Sequence, residues 1–156
     1  MDSAVTLHRS RLAELPATTW HRITTLRQNV FVVEQECAYP DLDERDDEPG
    51  AEHLWLQEAD GSVLATLRLL HEDGGAARRI GRVATRRDAR GRGLMARLLT
   101  AGIEACSGRA IEIEAQAHLQ GWYERFGFAV SGAEFLEDGI PHVPMVRPAE
   151  RNPGTR

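Results

Sequence analysis

The 156-residue chain contains no lysine; all 19 of its basic residues are arginine. That absence rules out a Walker A phosphate loop, which ends in Gly-Lys-Ser/Thr, and otherwise reads as composition bias. Cysteine is scarce: Cys37 and Cys106 give no disulfide framework, and free thiols fit a reducing compartment. No basic segment followed by an apolar core opens the chain, and no apolar run approaches a membrane span. A cytoplasmic protein is therefore expected. The six histidines show no ligand spacing such as H-x-x-x-H, so no metal is expected. Asp41–Asp46 looks like the start of a calcium loop, but Arg45 holds its fifth position and Asp46 stands where glycine is required. That reading is rejected.

The composition that remains, 42% hydrophobic and 28% charged, is that of a soluble globular protein. The length supports one domain, placed at residues 1–150, with a frayed tail over 151–156 marked by Pro153 and Gly154. A net charge of −5 argues against general nucleic-acid binding, but the charges are unevenly spread. Arg78–Arg97 holds eight arginines against one acid, Asp88, whereas Asp41–Glu52 holds seven acids against one arginine, Arg45. The acidic stretch, broken by Pro49 and Gly50, reads as a solvated loop; its field would also draw in a cationic substrate.

Ala4–Arg9 carries a weak edge-strand pattern. Leu12, Leu15, Trp20, Ile23 and Leu26 predict a helix running to about Gln28, with Thr18 or Thr19 as N-cap. Val30–Gln35 is β-branched and aromatic, and periodicity leaves strand and helix both open. His53–Gln57 and Ser62–Leu70 flank Asp60-Gly61, a hairpin signal, and Arg79–Thr85 adds a third antiparallel strand. A helix from Gly93 to Cys106 follows, with Leu94, Met95, Leu98, Leu99, Gly102 and Ile103 on one stripe and Gly108 as its stop. Ala110–Gln116 alternates apolar and polar residues. It must run parallel to Arg79–Thr85 across a right-handed crossover. A short helix over Leu119–Phe126 stops at Gly127, and two antiparallel strands, Phe128–Phe135 and His142–Arg147, follow. The order predicts an α/β fold with a mixed, mostly antiparallel sheet flanked by helices.

Chemistry concentrates at the corner Arg90-Gly91-Arg92-Gly93-Leu94-Met95, where two glycines turn directly into a helix. The first amides of a helix lack intrahelical partners, and the aligned dipoles add about half a positive charge. Glycines let the backbone approach an anion, and Arg90 and Arg92 add guanidinium forks. The corner is not a Rossmann G-x-G-x-x-G, since Ala96 holds the last position. It reads as a pyrophosphate cradle. The plainer reading is a strand-to-helix turn with a solvated arginine face.

These residues resemble motif A of the GNAT acetyltransferases, Arg/Gln-x-x-Gly-x-Gly/Ala, with Arg90 first, Gly93 fourth and Met95 where a small residue is usual. Beyond the next strand, Trp122-Tyr-Glu-Arg-Phe-Gly-Phe128 resembles motif B. Together with Phe31–Gln35, Ala115–Gln120 and Glu137–His142, they make the chain similar to the ElaA-type branch of that family over residues 5–147. The resemblance implies a GNAT-like acyl-CoA N-acyltransferase fold. It also implies transfer of an acetyl group from acetyl-CoA, as co-substrate, to a primary amine by direct attack.

The donor's extended, amide-rich arm suits an open strand edge, for which Val83, Ala84 and Thr85 are the candidates. Arg90, Gly91, Arg92, Gly93, Leu94 and Met95 form the cradle, and Gln116 is grouped with them. Gln116 and Glu114 share one face of their strand, lining the acceptor site or meeting solvent. The resemblance puts Tyr123 beside the donor sulfur, where a phenol with a pKa near 10 suits a general acid. Glu34, His118 and His142 are candidate bases, with a water relay as the alternative. Cys106, on the apolar stripe, is expected to be buried and inert. Two rivals remain: a non-catalytic module that senses acyl-CoA, and an arginine-rich nucleic-acid binder, which the net charge disfavours. The expected partners are a small-molecule or peptide amine, no nucleic acid and no membrane, with a homodimer through the exposed final strands.

Overall fold

The residues from Val63 to Leu70 are buried without a break, so both faces of the sheet need cover, and helices supply it on each side. The computed structural model describes residues 4–151; the rest of the predicted tail, 152–156, lies outside the described residues. Eight strands form one sheet: β1 (Thr6–Ser10), β2 (Glu52–Gln57), β3 (Val63–Glu72), β4 (Ala77–Thr85), β5 (Ala110–Gln116), β6 (Ala129–Val130), β7 (Phe135–Glu137) and β8 (Ile140–Arg147). Their order is β1-β2-β3-β4-β5-β8-β6, with β7 paired to β8. Every pair is antiparallel except β4–β5.

The helices are α1 (Ala17–Arg27), α2 (Leu94–Ala105) and α3 (Gln120–Glu124). Leu98 and Leu99 of α2 pack on Leu54, Leu56, Leu67, Leu69, Ile80 and Ile111. Ile23 and Leu26 of α1 pack on Trp55, Val63 and Ala84. Trp55 lies between Leu54 and Leu56 in β2, so the two clusters occupy opposite faces. Burying each such leucine contributes about 1.5–3 kcal/mol. Gly102 sets the closeness of α2: a Cβ there would meet Leu67 at 3.3 Å and Ile80 at 3.4 Å.

Several boundaries differ from the sequence reading. Leu12–Glu14 is a separate 3-10 turn, and α1 starts behind Pro16, uncapped by any side chain, not behind Thr18 or Thr19. Pro16 is the N-cap, in extended backbone, and its carbonyl accepts from the Trp20 amide at 3.0 Å. Past Arg27 the chain continues as a π-helical segment over Gln28–Glu34, so Val30–Gln35 is helical up to Glu34. Val30 there joins the α1 cluster, and this packing overrides local β propensity. The expected strand Phe128–Phe135 is broken into β6 and β7, and the residues between them are exposed.

The expected β4–β5 pairing is shorter than the strands themselves. It covers only Ala77–Arg79 against Ala110–Glu112. Beyond this, β4 is bulged against β3: Thr66 faces Ala84 and Arg68 faces Gly81, so Arg82 and Val83 stand opposite Leu67 alone. Arg82 takes φ +50° at this point. The extra residue bends β4, and its edge from Gly81 to Thr85 has no strand on the β5 side.

The acidic stretch is not a solvated loop. Arg27, 1% exposed, donates from Nε to Asp41 at 2.9 Å and from Nη1 to Asp46 at 2.8 Å. Arg68 of β3 reaches Asp43 at 2.7 Å, and Arg82 of β4 reaches Asp41 at 3.0 Å and Asp43 at 3.1 Å. Asp43 also caps a 3-10 turn over Glu44–Asp47 with a capping box. Asp41, Asp43 and Asp46 are thereby tied to α1 and the sheet by arginines, and their charge is already answered within the fold.

Candidate active site

Where β4 and β5 part, a cavity of about 970 Å³ opens. The glycine turn and the start of α2, the free β4 edge, the π-helical segment, β5, Tyr123 of α3 and the β7–β8 hairpin all border it.

Gly91 and Gly93 take φ +78° and +73°, a conformation that costs a non-glycine residue about 1–2 kcal/mol. A Cβ at either position would meet nothing within 4 Å. Backbone conformation, and not crowding, therefore demands glycine here, and the space in front is open. Gly93 is the N-cap of α2 and no side chain caps the helix, which leaves its first-turn amides without intrahelical partners. Gly91, Gly93, Leu94, Met95 and Ala96 border the cavity, so these donors and the dipole meet it. A pyrophosphate fits this corner. Arg92 is exposed beside it and does not line the cavity.

Arg90 is committed elsewhere. Its Nη1 donates to Glu34 Oε1 at 2.7 Å and its Nη2 to Oε2, while Nε and Nη2 donate to the Thr85 carbonyl at 3.2 and 3.1 Å. The residue ties the π-helical segment to the end of β4. In return, the Arg90 hydrogen bond outweighs partial burial and holds the Glu34 carboxyl below the usual carboxylate range. The sequence reading gave Arg90 to the phosphate and Glu34 to the bases; the fold brings them to each other.

Val83, Ala84 and Thr85 border the cavity, with Ala84 and Thr85 paired to β3 on their other side. Tyr123 is 6% exposed and packs edge-on against Trp122 and Phe128. Burial alone pushes its pKa up to about 12. No hydrogen bond to a described residue holds its hydroxyl, and Tyr123 borders the cavity.

His118 is exposed on a 3-10 turn over Ala117–Leu119 at the cavity mouth. His142 is half-buried, stacked on Phe135, with Nδ1 2.7 Å from the Ile140 carbonyl. A carbonyl only accepts, so Nδ1 carries a proton, and Nε2, 3.8 Å from Glu137, is the nitrogen that the neutral ring leaves open to take one. Gln116 lies opposite His142 in the β5–β8 ladder and donates to Gln35 at 3.3 Å.

Sequence reasoning did not find the arginine–aspartate network, the Arg82 bulge, or Tyr39, whose hydroxyl donates to Asp41 at 2.8 Å beneath Arg82. One signal was present. Arg27 falls on the same helical stripe as Ile23, Leu26 and Val30, and a buried arginine requires carboxylate partners.

Residues 25–148 match the family model of the acetyltransferase (GNAT) domain. A UPF0039 protein of Mycobacterium tuberculosis is 47% identical over 144 residues, covering 91% of this chain and 92% of its own. The crystal structure of Escherichia coli ElaA superposes with a TM-score of 0.86 at 32% identity, covering 92% of this chain and 99% of the other. That of an acyl-CoA N-acyltransferase from Pseudomonas aeruginosa gives a TM-score of 0.87 at 36% identity, with the same coverage. Among the described residues, no helix is long and apolar enough to cross a membrane.

Proposed function

The chain belongs to the GNAT acetyltransferase family, and we propose that it transfers the acetyl group of acetyl-CoA to a primary amine by direct attack. One observation supports this above the others: an uncapped, glycine-turned helix start and a buried tyrosine whose hydroxyl has no hydrogen-bond partner among the described residues border one cavity. The first suits a pyrophosphate and the second a leaving thiolate.

In this reading the Gly91–Ala96 amides hold the diphosphate, and the free β4 edge at Val83 and Thr85 hydrogen-bonds the amides of the extended arm. Holding both ends orients the thioester for attack. Thr85 contributes its amide side only, because Arg90 occupies its carbonyl. His142 Nε2 takes the proton of the attacking ammonium, directly or through one water. Glu34 keeps its charge on Arg90, and His118 stands at the mouth. Tyr123, still protonated at neutral pH, gives its proton to the departing sulfur and regains one from the nitrogen, which sheds its second proton as the amide forms. Ordinary thiols are more acidic than this phenol, but the dry wall that raises Tyr123 raises a thiolate beside it as well.

The test is thiol release from acetyl-CoA across an amine panel, with parent and Tyr123→Phe compared. The expected outcome is turnover by the parent and a kcat lower by about a hundredfold or more in the variant at unchanged CoA affinity. A parent that binds CoA but acetylates no amine would instead support the acyl-CoA sensor.

A further inference from the structure

Five arginines line the cavity, and each has a carboxylate at close range: Arg45 on Glu72 at 2.7 Å, Arg68 on Asp43 at 2.7 Å, Arg79 on Glu72 at 2.9 Å, Arg82 on Asp41 at 3.0 Å, and Arg90 on Glu34. The acids do not balance in the same way. Glu114 comes no nearer to a cation than 3.8 Å, from an Arg79 already held by Glu72. Glu137 has only His142, also at 3.8 Å, and Asp138 has no ion-pair partner among the described residues. Glu114 and Glu137 have about half their side-chain surface exposed, and Asp138 is exposed on the hairpin turn. Glu114 shares a strand face with Gln116, Gln116 lies opposite His142, and His142 approaches Glu137, so the unpaired acids flank the imidazole assigned as base. The Tyr123 side chain, 6% exposed and with no hydrogen bond to its hydroxyl among the described residues, borders the same space and independently marks it as a ligand site.

Resting on the acetyl-transfer reading, we infer that the acceptor is a small aliphatic diamine or polyamine, a molecule with a second positive charge besides the amine that reacts. The attacking nitrogen must lose its proton before it attacks, and carboxylates acting on that nitrogen alone would oppose the loss. Glu114, Glu137 and Asp138 favour catalysis when the charge they hold sits on a second ammonium that stays protonated throughout. Their field then orients the chain and leaves the reacting end to His142.

The experiment compares diaminobutane, butylamine and aminobutanoate, which share one chain length and end in a cation, a methyl group and a carboxylate. The expected kcat/KM falls by about tenfold from diaminobutane to butylamine and again to aminobutanoate, and the diamine preference shrinks with added salt. In a Glu114→Gln/Glu137→Gln double variant the ratio of diamine to monoamine drops toward one at unchanged thermal stability. Glu134→Gln, exposed and outside the cavity, keeps the parent ratio. Equal use of butylamine and diaminobutane by the parent, or an unaltered ratio in the double variant, overturns the inference while acetyl transfer stands. Failure to acetylate any of the three, with no stabilisation by CoA, removes both.

Discussion

The turn Arg90–Gly93 and the stretch Asp41–Asp47 carry opposite charge, and opposite means hold them in place. The turn is built from backbone: two left-handed glycines and a helix start that no side chain caps. Its one inward-committed arginine, Arg90, serves as a strut to Glu34 and Thr85. The acidic stretch is built from side chains: Arg27, Arg68 and Arg82 reach it from three separate elements. Charge density along a sequence therefore says little about where charge is free. In the turn, donors remain open because glycine has no side chain to fill the space; in the acidic stretch, every buried acid is answered.

The two regions should respond to mutation in opposite ways. Arg27→Met leaves Asp41 and Asp46 buried with much of their countercharge gone, and urea unfolding should show a loss of about 3–5 kcal/mol. CoA affinity of the remaining folded protein should stay at the parent value. A loss below about 1 kcal/mol would mean that the network is ornamental. Gly93→Ala should do the reverse. It costs about 1–2 kcal/mol through φ +73°, yet calorimetric titration should show CoA affinity reduced by about tenfold or more, because relief of that strain turns the first amides of α2 away from the cavity. Unchanged affinity would remove the cradle.

Arg90→Ala should have a smaller effect, since about two-fifths of its side chain is exposed. A loss of about 0.5–1 kcal/mol is expected, with the π-helical segment showing faster amide exchange than α1. Uniform exchange across both would contradict the strut. The smallest effect is on the pH profile. Burial would raise the Asp46 carboxyl, but the Arg27 hydrogen bond and the Arg27 and Arg68 charges outweigh it and hold it low. A depressed folded pKa gives stability that is complete above the unfolded value near 3.9 and is lost as pH falls through the folded value. Tm should be flat from neutral pH to about 5 and fall below about 4. In Arg27→Met the gap from parent should narrow with acid, because protonation relieves the stranded carboxylates.

Local patterns carried most of the fold. The Asp60-Gly61 hairpin, the α2 stripe and the alternation of β5 are short-range signals, and they place the sheet, the parallel crossover and the corner where β4 turns into α2. The features that shape the site are long-range, and no pattern of period 2 or 3.6 encodes them. The bulge at Arg82 depends on which residues of β3 lie opposite it. The Glu34–Arg90 pair spans 56 positions and the Arg27–Asp46 pair 19. The π-helical segment read as either strand or helix because its β-branched residues pack against α1's partners, and that contact is tertiary. An acidic run looks solvated until its arginines are located in space.

Thermal unfolding with and without acetyl-CoA, CoA and ADP tests the cradle most directly. A ligand that binds only the folded chain raises Tm, by the equivalent of about 2.7 kcal/mol at a hundredfold excess over Kd. A rise is expected with both CoA compounds, a smaller one with ADP, and the loss of most of each rise in Gly93→Ala. No shift with any of the three, or an equal shift in parent and Gly93→Ala, would contradict a phosphate cradle at this corner.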